Sequence, residues 1–131
     1  MADADPVREF VAVMRRLRAE CPWKAEQTHV SLIPYLLEEA GEAAEALESG
    51  DAEHTCEELG DLLLQVVFHA ILAEEAGEFT LDDIARGITA KMRRRNPHVF
   101  GDLAGGPPLT PAEVDALWER QKALEKGTAD S

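Results

Sequence analysis

Two short runs of carboxylates have the spacing that metal chemistry requires. Glu38, Glu39 and Glu42 form one run, and Glu57, Glu58 and Asp61 form the second. Side chains three apart on a helix are neighbours, so Glu39 with Glu42, and Glu58 with Asp61, would each place two carboxylates on one surface. Unpaired, each such contact costs about 0.2 to 0.5 kcal/mol. Hard cations take oxygen ligands, and Mg²⁺ commonly uses one or two carboxylates and completes its octahedron with waters and substrate phosphates. Four or five convergent carboxylates therefore suggest more than one ion and a phosphorylated substrate in the open positions. Residues 86–100 carry five positive groups and no acidic one, and Lys91 and Arg95 stand a helical turn apart as a candidate polyphosphate clamp. On spacing alone the two runs also read as a solvated acidic face and a surface Arg run that balances it.

Helices must position these groups, because the periodicity is helical and no segment alternates like a strand. A first helix is expected from about Pro6 to Glu20, with Asp5 as N-cap and Val7, Phe10, Val11, Met14 and Leu17 on one face. The Pro-containing segment Cys21 to His29 breaks it. A second helix is expected from about Ser31 to Ser49, closed by Gly50, with Ile33, Leu36, Leu37, Ala40, Ala44 and Leu47 as its apolar stripe and Glu39 at the border.

The third helix, about Ala52 to Ala76, is apolar almost all round, as a helix buried in a bundle or interface should be. Yet Glu58, Asp61, Gln65 and His69 form one polar stripe along it. Buried carboxylates need cations in reach. Residues 25–85 contain no Lys or Arg and sum to −16, so a bound metal is the economical partner. The short connection between the second and third helices forces an antiparallel hairpin in which the two carboxylate runs can face each other. A fourth helix, Thr80 to about Asn96, should pack Leu81, Ile84, Ala85, Ile88 and Met92 inward. A last helix starts at the capping sequence Thr110-Pro111-Ala112-Glu113, ends at Gly127 and puts Trp118 and Lys122 on one face. The expected architecture is all-α: an antiparallel bundle of about five helices, one domain over residues 1–127, with residues 128–131 a disordered tail.

Composition excludes several functions. A chain of 131 residues has room for one core. A net charge of −13 repels phosphate backbones, which argues against a nucleic-acid polymer as partner. A net acidic protein still binds a small polyanion where metal ions invert the local field. No apolar run of roughly 18 residues could span a membrane. Cys21 and Cys56 form neither a CxxC pair nor a disulfide framework, which fits a cytoplasmic location. Di-iron bundles use two Glu-x-x-His motifs, and only Glu26 to His29 has that spacing.

Taken in order, Cys21-Pro22-Trp23, Gln27-Thr28, Glu38-Glu39-x-x-Glu42, Glu58-x-x-Asp61 and the run Lys91 to Phe100 resemble the MazG family of nucleoside triphosphate pyrophosphohydrolases, over about residues 7–125. A lone Glu-Glu-x-x-Glu is weak; the ordered set is specific. The resemblance implies an all-α bundle that self-associates as a homodimer, or as a tetramer. It also implies hydrolysis of nucleoside or deoxynucleoside triphosphates to monophosphate and pyrophosphate with Mg²⁺, for which Mn²⁺ could substitute. Glu39, Glu42, Glu58 and Asp61 would then be metal ligands, and Glu38 a supporting carboxylate that positions or deprotonates the attacking water. Lys91 and Arg95 would contact phosphates, and Trp118, Lys122 and Trp23 would contact the nucleotide. Lys24 stands where many relatives have Asp, and Asn96 where many have His. Neither change touches the carboxylates; the first bears on nucleotide preference near Trp23. The motif set occurs once, unlike in tandem members. Rival expectations are a specialised all-α pyrophosphohydrolase for dUTP, dCTP or phosphoribosyl-ATP, and a non-catalytic helical dimer that binds divalent ions or nucleotides.

Overall fold

The computed structural model describes residues 5–130, with side chains through residue 127. The described residues form helices and connections without a strand, as an all-α chain should. In order these are α1 (Pro6–Glu20), α2 (Pro22–Ala25), α3 (His29–Ser49), α4 (Ala52–Glu75), α5 (Leu81–Arg95), α6 (Pro97–Phe100) and α7 (Pro111–Asp130). Five are the expected helices, and α2 and α6 are additional single turns begun by a proline.

Local capping accounts for the boundaries. The Asp5 carboxylate accepts from the Val7 N–H at 2.9 Å, and Asp51 accepts from Glu53 and His54 at 3.1 and 3.3 Å. Gly50 closes α3 at φ +75°, a conformation that favours a residue without Cβ. The start of α3 differs from expectation. The helix begins at His29 rather than about Ser31, with Thr28 as N-cap: its hydroxyl accepts from the Ser31 N–H at 3.1 Å, while Ser31 Oγ accepts from the Thr28 N–H at 2.8 Å. The helix thereby gains His29 and Val30.

The chain divides into two compact units, residues 1–81 and 82–131. In the first, α3 and α4 run antiparallel. His29 meets His69 at one end, and the Thr55 hydroxyl donates to the Ala46 carbonyl at 3.1 Å at the other. Val11 and Met14 from α1, Leu32 from α3, and Val67, Phe68, Ile71 and Leu72 from α4 form the core, with Phe10, Leu64 and Leu81 packed against it. Arg18 ties α1 to its neighbours. Its guanidinium forks onto Glu75 at 2.9 and 3.0 Å and also donates to the carbonyls of Lys24 and Gln27.

The orientation of α3 overturns the expected stripe. The buried residues are Leu32, Ala43 and Ala46, with Leu36 and Glu39 half-buried beside them. Ile33, Leu37 and Leu47 face outward, at 47%, 68% and 59% exposure. On α4 the polar stripe turns inward while Leu59, Leu63 and Val66 are exposed. The helices therefore pair through the side that carries the carboxylates and leave an apolar face open.

In the second unit, α5 buries no residue fully, and Ala85 and Ile88, expected inside, are exposed. The Thr110 hydroxyl accepts from the Glu113 N–H at 3.2 Å and Glu113 accepts from the Thr110 N–H at 2.9 Å, forming the expected box. Instead of ending at Gly127, α7 continues to Asp130. Ser131 lies outside the described residues.

Candidate functional site

Pairing α3 with α4 gathers Glu39, Glu58 and Asp61. One carboxylate oxygen from each lies within 4.8 Å of the others, and all three side chains are half-buried. Close approach here follows from the small buried Ala43 and Ala46 on the facing side of α3. Oε2 of Glu39 and Oε2 of Glu58 are buried without a hydrogen-bond partner. Burial, followed by the charges of Asp61, Glu42, Glu58 and Glu38, pushes the Glu39 carboxyl above the ordinary range. Burial also raises Glu58, followed by Glu42 and Asp61, against a small opposing effect from His54 at 3.9 Å.

No Lys or Arg among the described residues pairs with these three groups; Arg15 and Arg18 of α1 reach Glu74 and Glu75 instead. Glu42 is half-buried and close enough to act on both Glu39 and Glu58 but stands outside the group of three, and Glu38 is exposed. The set suits a hard cation. Metal–oxygen bonds of about 2.0 to 2.1 Å put opposed ligand oxygens about 4.2 Å apart, so small side-chain rotations bring these oxygens into one shell. The two unpartnered buried oxygens are the groups that such an ion would satisfy.

Farther along the same stripe, Gln65 is buried with Oε1 unpartnered, and His69 stacks on His29. This histidine pair was not legible in the sequence, where His29 falls before the expected helix start. The two Nδ1 atoms are 2.8 Å apart, so one must carry a proton and the other accept it. Burial, then the charge of His29, lowers the pKa of His69. A histidine depressed in the folded state takes up its proton more readily when unfolded, so its stabilising contribution is complete above the unfolded pKa and is lost as pH falls. The His69 contribution to Tm is therefore expected to shrink as pH falls below about 6.5, while the raised Glu39 and Glu58 carboxyls act in the opposite direction, so the test is the difference: His69→Gln should gain Tm relative to the parent chain as pH falls in paired thermal melts.

Lys91, Arg95, Trp118 and Lys122 belong to the second unit. The Arg95 guanidinium carbon lies over the Trp118 ring, with Cζ 5.2 Å from the ring centroid. Lys91 is half-buried one turn before Arg95, and Lys122 is exposed. Trp23, in the first unit, is 45% exposed and meets the ring of Tyr35 edge-on at 5.5 Å. The Lys24 ammonium lies 5.5 Å from the Trp23 ring centroid, so the departure at position 24 places a cation against this aromatic surface.

A family model described as the MazG nucleotide pyrophosphohydrolase domain matches residues 27–100. The chain is 46% identical over 125 residues to the nucleoside triphosphate pyrophosphohydrolase/pyrophosphatase MazG of Thermotoga maritima, covering 94% of this chain and 46% of that protein. It is 42% identical over 123 residues to the nucleoside triphosphate pyrophosphohydrolase of Escherichia coli K12, covering 92% and 46%. It is also 46% identical over 124 residues to the uncharacterized protein YabN of Bacillus subtilis, covering 93% and 25%. The chain thus spans half or less of the length of these relatives. The crystal structure of a mazG-related protein from Thermotoga maritima shares the fold, with a TM-score of 0.72 at 23% identity over 88% of this chain and 98% of that one.

Proposed function

We propose, from the premise that this chain belongs to the MazG nucleotide pyrophosphohydrolase family, that it hydrolyses nucleoside or deoxynucleoside triphosphates to the monophosphate and pyrophosphate, with Mg²⁺, as a nucleotide-pool housecleaning enzyme. The observation that carries the proposal is the half-buried group of Glu39, Glu58 and Asp61, which has two unpartnered oxygens and, among the described residues, no Lys or Arg paired with it.

In this reading Glu39, Glu58 and Asp61, with Glu42 beside them, hold the divalent ions. Such ions supply charge neutralisation on phosphate oxygens and acidify the attacking water. Glu38, exposed next to Glu39, positions that water or accepts its proton. Lys91 and Arg95 bind phosphate oxygens, for which a guanidinium offers paired donors. Trp118, Lys122 and Trp23 contact the rest of the nucleotide. Purified protein given a panel of ordinary and modified triphosphates with Mg²⁺ should release pyrophosphate. Release of orthophosphate, or no turnover across the panel, overturns the reading. Competition with dUTP, dCTP and phosphoribosyl-ATP defines the preferred substrate.

Two further results are expected. Mg²⁺ should stabilise the fold in thermal melts, by about 2.7 kcal/mol at a hundredfold excess over Kd, because a ligand that binds only the folded form shifts the equilibrium by mass action. Glu39→Gln should remove most of that gain. The open apolar face of α3 and α4, which includes Leu37, Leu59, Leu63 and Val66, supports self-association as a homodimer or tetramer. Leu63→Glu would bury a charge in such an interface and should shift the protein toward monomer in sedimentation or light scattering.

A further inference from the structure

The second unit holds its arginines in a way that the proposed reaction does not by itself require. The Glu125 carboxylate accepts from Arg95 Nη2 at 3.2 Å and from Arg95 Nε at 3.3 and 3.4 Å, so it occupies the side edge of that guanidinium. Arg94 Nη2 donates to the same carboxylate at 3.0 Å. The Arg95 guanidinium carbon lies over the Trp118 ring, 5.2 Å from its centroid. Trp118 and Glu125 stand two turns apart on α7, so one helix face supplies both restraints. One edge of the group is thus held by a carboxylate and its charge rests over an aromatic ring, and only 12% of the Arg95 side chain is exposed.

The outer edge is different. A guanidinium has five N–H donors in a rigid fork, and Glu125 takes those of Nε and one of Nη2. Arg95 Nη1 makes no hydrogen bond among the described residues and is not among the buried polar atoms left without a partner, so it reaches solvent. Nη1 and the second Nη2 proton form a fork of the shape that donates to two phosphate oxygens. Two guanidiniums share one carboxylate, so the cluster keeps a net positive charge. The arrangement persists across the working pH range, since its two arginine partners hold the Glu125 carboxyl at about 2.

We propose that Glu125 is a positioning residue for nucleotide binding: it grips the Nε–Nη2 edge of Arg95 and holds the guanidinium over the Trp118 ring, so that the outer Nη1–Nη2 fork is presented to a phosphate group. The inference rests on the reading above that Arg95 contacts substrate phosphates. A flexible arginine would have to lose its rotamer freedom on binding each substrate, whereas one already fixed loses little.

The test uses the full chain, with magnesium pyrophosphate as probe in titration calorimetry and with KM and kcat for the best triphosphate. Glu125→Ala is expected to weaken pyrophosphate binding and raise KM by about ten-fold, with kcat changed less than two-fold. Glu125→Gln, which keeps one acceptor oxygen, should recover part of the loss. A lower KM in Glu125→Ala would show that the carboxylate competes with phosphate, and would overturn the inference. So would a fall in Tm with pyrophosphate affinity and KM unchanged, which is the signature of a purely structural ion pair. Arg95→Ala separates the two layers. If it leaves pyrophosphate affinity and KM intact, the phosphate-contact reading itself fails; if it weakens both while Glu125→Ala does not, only the positioning inference fails.

Discussion

Asp61→Asn is expected to reduce kcat for triphosphate hydrolysis by about two orders of magnitude or more while leaving the fold intact. Asparagine keeps the shape of the side chain and removes its charge, so packing along α4 is preserved. What changes is the group of three oxygens: Asp61 is one of only three carboxylates within ligand distance of one another among the described residues. Its charge also raises the Glu39 and Glu58 carboxyls, so neutralising it relieves repulsion in the metal-free protein. Metal-free thermal stability should therefore stay level or rise while turnover collapses. Pyrophosphate release at saturating Mg²⁺, measured beside a metal-free melt, checks both parts. Full activity in this variant would remove the basis for placing the ions between α3 and α4.

The residues that made this site legible are those whose cost is paid locally. The stripe Glu58, Asp61, Gln65 and His69 stands out on an otherwise apolar helix, and it does turn toward α3. The caps at Asp5 and Thr110 depend on neighbours within three residues, and they form as expected. The orientation of α3 was not legible for a physical reason. An apolar stripe marks the face a helix buries, but not whether its own chain or another surface covers it. Ile33, Leu37 and Leu47 remain open in the single chain, while Glu39 lies on the side toward α4. The pairing of Arg94 and Arg95 with Glu125 was equally hidden, because it joins residues about thirty positions apart and nothing in local spacing selects that carboxylate. The same holds for Arg15 and Arg18, which bring to the acidic stretch the cations its own sequence lacks, but only at the end of α4.

Phe68→Ala separates the support of the site from its chemistry. Phe68 is 1% exposed and belongs to the core that joins Val11 and Met14 of α1 and Leu32 of α3 to α4. It lies two turns beyond Asp61 on the inward side of the same helix, so the contacts it makes help hold α4 where its carboxylates meet Glu39. Removing a buried phenyl ring costs about 3 to 5 kcal/mol, as lost transfer energy plus the cavity left behind. Domains are typically stable by about 5 to 15 kcal/mol, so this one change would consume a large share of the total. The urea midpoint is expected to fall sharply, with activity lost as the temperature rises. At low temperature, where the folded fraction remains high, the variant should recover most of its turnover, because every carboxylate is still present. Asp61→Asn should show the reverse: a midpoint that is level or raised in the metal-free protein, and a deficit in turnover at every temperature. If Phe68→Ala stays inactive even when circular dichroism shows it folded, then the packing between α1, α3 and α4 sets the carboxylate geometry more tightly than burial alone requires.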